Sequence, residues 1–262
     1  MSIFQNLLMA AAEAEAAAAT GYEIDYAISM DDSDNDYVTW TPSSAGNQQK
    51  WTLSLWLKRK ETDTEKAFFG GGDSGSSYYF FGFSSDNKLF MDLQNANTYL
   101  KTSSAVGSTS TWKHIVMATD STQGTEENRM KWYIDGTQNT SWETEYPPSQ
   151  NEQVTWVNTT SAQKYSDLTW SSGANFYMAD INFVDGAQLA PTAFGETSGD
   201  DWIPIDPSPT YGTNGYRLEF KQTGTSQDAN GIGADTSGND NHFATVNLTS
   251  SNRTTDTPTN PS

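Results

Sequence analysis

The amino-acid sequence predicts an all-β protein, a two-sheet antiparallel sandwich carrying a short N-terminal α-helix. Three observations predict it. In WTLSLWLK, Trp51, Leu53, Leu55 and Leu57 alternate with Thr52, Ser54, Trp56 and Lys58, the period of a strand with one buried face. Similar apolar and aromatic runs recur along the chain, bounded by Gly, Asn, Asp and Ser, with no amphipathic helical pattern between them. Composition agrees: 20 Gly, 9 Pro and 13% aromatics in 262 residues suit many short strands joined by turns within one all-β domain.

Residues 1–21 form a leader expected to be helical. SIFQNLLMAAAEAEAAAA is rich in Ala, Leu, Met and Glu, and Gly21 stands where a C-terminal cap belongs. Ile3, Leu7, Ala10, Ala14 and Ala17 fall at spacings of four and three, drawing one apolar stripe. An isolated helix of this length is marginal in water. The stripe is therefore expected to lie on a sister chain or a larger assembly, with packing on its own domain as the alternative. A secretion signal is the competing reading, but the leader has no basic start, and Glu13 and Glu15 interrupt its apolar run.

Residues 22–250 form the sandwich domain. YYFFGF (78–83) and KLFMDL (88–93) flank the turn SSDN and read as a hairpin. WKHIVMATD (112–120) and MKWYIDG (130–136) form a second pair, and FYMADINFVDG (176–186), YRLEF (216–220) and FATVNL (243–248) are further strands. Asp135-Gly136 and Asp185-Gly186 supply tight strand-ending turns. Residues 251–262 form a polar tail with two prolines, either flexible or draped on a neighbour.

The charge balance narrows the function classes. With 33 acidic against 14 basic residues the net charge is −19, which repels phosphate backbones and anionic lipid; nucleic acid and membrane are not expected partners. There are no cysteines and two histidines, so disulfides, thiolate metal sites and polyhistidine zinc sites are excluded.

The ordered set WTLSLWLKRK, TWKHIVMATD, MKWYIDGTQ and FYMADINFVDGAQLAPTAFG resembles the concanavalin A-like lectin/glucanase superfamily in its laminin G-like jelly-roll branch, over about residues 22–250. GYEIDYAI, FGETSGDDWIPI, YGTNGYRLEF and GADTSGNDNHFATVNL resemble jelly-roll proteins encoded in tailed bacteriophages, especially those of marine bacteria, where the module recurs in virion and fibre-like proteins. In many such jelly rolls a D-x-S-G-N motif lies near the first strand. Here it precedes the last, so FATVNL is expected to close a sheet beside the N-terminal strands.

The resemblance implies two kinds of site. Calcium often sits at the rim of such sandwiches, and Asp235, Ser237, Asn239 and Asp240 offer hard oxygens for it. The same residue types also build consecutive turns, and that alternative stays open. Asp32, Asp34 and Asp36 alternate like an EF-hand start, but Tyr37 and Ser43 stand where glycine and glutamate are needed. For sugar binding, Trp56, Tyr79, Phe81 and Trp132 are candidates to project from a sheet, with Trp142, Trp156 and Trp170 in polar stretches; core packing is the competing role for each. Glucanases of the superfamily carry Glu-x-Asp-x-x-Glu. Here Glu23-Ile24-Asp25-Tyr26-Ala27-Ile28 puts isoleucine at the nucleophile position, and retaining hydrolysis needs paired carboxylates.

The reading of the whole is a non-enzymatic virion structural protein, a capsid decoration or fibre-like protein assembled in host cytoplasm. The leader docks it on capsid or tail proteins or gathers copies, a trimer being favoured, and the acidic sandwich displays affinity for host-surface glycans. The rivals are a free carbohydrate-binding module and a glucanase-like enzyme.

Overall fold

The computed structural model describes residues 21–73, 77–93, 98–154, 156–166 and 175–262. The expected leader helix, with Ile3, Leu7, Ala10, Ala14 and Ala17, lies outside them. In chain order the strands are β1 (Ala27–Met30), β2 (Tyr37–Trp40), β3 (Lys50–Arg59), β4 (Lys66–Asp73), β5 (Ser77–Phe83), β6 (Lys88–Leu93), β7 (Thr98–Ala105), β8 (Lys113–Asp120) and β9 (Met130–Ile134). There follow β10 (Thr137–Gln138), β11 (Trp142–Tyr146), β12 (Gln163–Tyr165), β13 (Phe176–Asp185), β14 (Gly195–Ser198), β15 (Asp201–Pro204), β16 (Tyr216–Leu218), β17 (Ala244–Val246) and β18 (Arg253–Thr254).

They form two large antiparallel sheets and one small hairpin. Sheet one runs β10-β9-β8-β3-β13-β1-β18, with β16 also on β13; sheet two runs β11-β7-β6-β5-β4-β12-β2-β17; β14 and β15 pair with each other. The expected hairpins are present: Phe83 faces Leu89 across the SSDN turn, and Ile115 faces Ile134 where β8 meets β9. FATVNL does lie beside an N-terminal strand, with Thr245 opposite Val38.

Between the sheets lies one continuous core. Trp51, Leu53, Leu55 and Leu57 of β3 contribute the face that alternation predicts. Trp51 meets Phe81 of sheet two edge to face at 6.0 Å, and Phe68 meets Phe176 across the same gap at 6.1 Å. Tyr165 and Tyr216 join the two sheets through hydroxyls 2.9 Å apart, which supplies each buried phenol with a partner.

One expectation fails on β3. Its other face, Thr52, Ser54, Trp56 and Lys58, is buried as well, none more than 4% exposed. Segments downstream of β13 cover it. Thr52 Oγ1 donates to the Ala187 carbonyl (2.8 Å) and accepts from Leu189 N–H (2.9 Å). Phe194 and Tyr211 pack on Val116 and Val184, and the β14–β15 hairpin and the tail cover the rest.

The tail packs on its own sandwich past residue 250. Thr254 and Arg253 pair with Ala27 and Ile28 of β1, and Thr259 Oγ1 takes the Ile24 N–H at 3.1 Å. Asp256, buried, accepts from the Trp112 indole N–H at 3.0 Å and from the Lys58 ammonium. Polar side chains anchor the segment, so its low hydrophobicity gave no sign of attachment.

Candidate functional site

The proposed sugar-contacting aromatics divide. Tyr79, Phe81 and Trp132 are at most 1% exposed and belong to the inter-sheet core: Tyr79 and Phe81 pack with Phe69 at 5.5 Å each, and Trp132 meets Trp142 edge to face at 5.1 Å. Rings so placed present no face to a ligand, so these three are corrected to core residues. Alternation marks only which residues share a face; in β5 and β9 that face points inward. Trp142 and Trp156 are half-buried against the same core, and Trp170 lies outside the described residues.

The 235–240 loop resolves into turns. Asp235 Oδ1 accepts the backbone N–H of Arg217 (2.9 Å) and Ser237 (2.8 Å), and Oδ2 accepts Asn241 N–H (2.9 Å) and the Ser237 hydroxyl (3.0 Å). Asn239 turns its amide nitrogen to the carbonyls of Gly212 (2.6 Å) and Gly215 (2.9 Å), and Asp240 is exposed. Four protons already point at the one buried carboxylate. These residues do not fit a calcium cage, and their geometry is that of side chains closing their own backbone turns. Among the described residues no group of three or more His, Asp or Glu is placed to hold a metal ion.

Trp56 has a different setting. It lines a cleft of about 560 Å³ on the outer face of sheet one, together with Trp112, Trp202, Asp135, Pro258 and Pro261. Trp56 and His114 are cross-strand partners in the β3–β8 register, and their rings stack at 4.8 Å. Trp202, half-buried, donates its indole N–H to His114 Nδ1 at 2.9 Å. An indole nitrogen only donates, so Nδ1 is the acceptor and Nε2 carries the hydrogen toward Ser54 Oγ, also at 2.9 Å. Burial pushes the His114 imidazole down to about 3, so the ring is a neutral bracket.

Glycines fix Trp202. A Cβ on Gly136 would come within 2.4 Å of the indole, and one on Gly195 within 2.7 Å, so these two backbones approach the ring as only glycine allows. Gly136 also ends the β9–β10 turn, where Asp135 and Gly136 both have positive φ (47° and 74°), matching a type I′ hairpin. That turn brings in Asp135, which accepts His114 N–H at 2.9 Å and the Lys113 ammonium at 2.6 Å. At the other end, the tail seats Pro258 and Pro261. Burial alone would raise the Asp256 pKa, but the hydrogen bonds from Lys58 and Trp112 outweigh it and hold the carboxyl below its usual range.

Of the cleft, Trp56 alone was singled out as a site residue from sequence. Trp112 and Trp202 were missed, although DDWIPI places two carboxylates beside an indole, a pairing that signals a ligand-facing turn as readily as a core strand. The glucanase positions do not assemble: Glu23 and Asp25 are exposed and precede β1, while Ile28 is fully buried.

A family model described as the concanavalin A-like lectin/glucanases superfamily, of laminin G type, matches residues 32–187. Among solved structures, a "putative carbohydrate binding protein" from Bacteroides ovatus aligns with a TM-score of 0.55 at 11% identity, over 86% of this chain and 58% of that one. The chain therefore spans under two thirds of that protein's length. A heptameric SAP-like pentraxin from Limulus polyphemus aligns with a TM-score of 0.46 at 14% identity, over 65% of this chain and 80% of that one. The mouse laminin alpha1 chain, domains LG4-5, gives 0.44 at 8%, over 65% and 44%. No curated protein matches the chain.

Proposed function

Because the chain belongs to the concanavalin A-like lectin/glucanase superfamily, we propose that it is a non-enzymatic glycan-binding jelly roll, carried as a structural protein of a tailed-phage particle. The observation that carries the sugar reading is the tryptophan-lined cleft on sheet one. Its volume of about 560 Å³ falls in the range of small-ligand sites. The half-buried Trp202 indole suits the apolar CH face of a pyranose, and the exposed Asp200 and Asp201 carboxylates beside it accept hydroxyl protons. The carbohydrate-binding description of the Bacteroides ovatus protein points the same way.

The non-enzymatic reading is supported by Ile28 at the nucleophile position, sealed in the core. Retaining hydrolysis has no second carboxylate there. The particle reading is supported by the phage-like motifs and by the alanine-striped leader, whose partners would be capsid or tail proteins or sister copies, a trimer being favoured. Gly21 lies beside Ile203 at the rim of the cleft.

Titration of the full chain and of a chain lacking residues 1–20 against a panel of oligosaccharides, read by tryptophan fluorescence, tests the sugar site. Binding is expected in both, with Trp202→Ala weakening it about tenfold while the strand signature in circular dichroism persists. A panel that binds nowhere, or binding indifferent to Trp202, overturns the assignment. Density for this chain on intact particles, lost on removal of residues 1–20, is the expected result for the particle role.

A further inference from the structure

The geometry points to an amine-bearing, cationic oligosaccharide as the occupant of the cleft, in preference to acidic or fully acylated sugars. The inference rests on the sugar reading above and concerns what that site selects. Charge at the cleft is one-sided. Asp135, Asp200 and Asp201 line it against a single base, Lys113, and that base is already spent on Asp135 at 2.6 Å. Asp200 and Asp201 are exposed, and neither makes an ion pair among the described residues. His114, behind them, is neutral, so it offers an anion nothing.

None of the three indole nitrogens is offered to a ligand: Trp112 gives its N–H to Asp256 and Trp202 gives its own to His114, and the Trp56 nitrogen is sealed in a residue 4% exposed. An ammonium beside the two unbalanced carboxylates and the half-buried Trp202 indole gains both ion pairing and cation–π attraction. The same groups repel a carboxylate or sulfate, and the −19 net charge biases encounter in the same direction. A free amine at one position with hydroxyls around it is the chemistry that uses all of these features.

The test compares a glucosamine hexamer, its fully N-acetylated counterpart, a galacturonic acid hexamer and a lysine hexamer on the full chain. The expected result is preferential binding of the glucosamine hexamer, weakened by salt and by raising pH above the amine pKa. Asp200→Asn with Asp201→Asn, both at exposed positions, should weaken it about fivefold to tenfold without disturbing the fold. Equal or better binding of the acetylated or acidic hexamer sinks the charge preference and leaves the sugar site standing. Equal binding of the lysine hexamer, unmoved by the aspartate changes, also overturns it by reducing the effect to bulk attraction. Silence from all three sugars sinks this inference together with the sugar reading.

Discussion

The two outer faces of the sandwich begin from the same alternating strands and end opposite in character. On sheet one the outward side chains are roofed by the chain downstream of β13, and the roof is polar. Arg217 reaches Asp180 at 2.8 Å, Asp206 at 2.8 Å and the Tyr22 hydroxyl at 2.6 Å, while Lys58 and Asp256 pair beneath Trp112 and Tyr177. On sheet two the outward aromatics cover one another. Tyr78 stacks on Phe80 at 5.5 Å, Phe80 meets Phe90 edge to face at 5.4 Å, and Phe90 lies by Tyr99 at 6.3 Å. Of its nearby charges, Lys88 and Lys101 with Asp86 and Glu143, the two carboxylates stay nearly half in water. The difference teaches where a charge matters: under the roof it needs its partner, and on the open face water substitutes.

The sharpest way to break the comparison is at Arg217. Burial alone would lower its pKa, yet Asp180 and Glu219 more than offset that and hold it firmly charged. Arg217→Met leaves Asp180, 2% exposed, without its counter-charge in a site water barely reaches. The expected loss is about 3–5 kcal/mol in chemical denaturation, because removing one member of a buried pair leaves an uncompensated charge. Adding Asp180→Asn should restore part of it. A double variant no better than the single would assign the loss to packing of the guanidinium stem instead.

A smaller effect distinguishes the roofed face by pH. His114 is ordinary near 6.5 when unfolded, and burial brings it down to about 3 when folded. Between those values the unfolded chain binds a proton that the native state refuses, so stability falls on acidification. From pH 7 to 5 the expected fall is about 2 kcal/mol, read as a shift of the denaturation midpoint. His114→Gln should flatten that slope. A slope unchanged by the substitution would place the titrating group elsewhere, and the Asp256 carboxyl, held low, contributes only below its ordinary value of 3.8.

What was legible in the sequence follows the same division. The strands of sheet one and the core from Trp51 to Phe183 announce themselves, because period-two burial repeats a signal over many residues. Much of the roof does not: YRLEF and FATVNL read as strands and pair with β13 and β2, but the segments around them hold on largely through single contacts such as Thr52 to Leu189, Trp202 to His114 and Asp256 to Lys58, which leave no periodic trace. Trp56 therefore looked outward and free when it is covered, and the tail looked loose when it is tied. The 235–240 loop shows the converse: its residue types suit a cation and a turn equally, and only the direction of the N–H groups around Asp235 decides between them.

On the open face the same experiment should yield almost nothing. Lys101 bridges Glu143 at 2.9 Å and Asp86 at 3.1 Å, a grid that looks as dense as the one around Arg217. Its carboxylates, though, keep 42% and 45% of their side-chain surface in water, so solvent and salt screen the attraction and the lysine gives up rotamer freedom to sustain it. Lys101→Ala is expected to leave the denaturation midpoint within experimental scatter of the parent, and 0.5 M salt, well beyond the regime where such pairs act across water, should not separate the two. A loss approaching that of Arg217→Met would mean that the face of sheet two is covered after all, and that the contrast between the two faces is wrong.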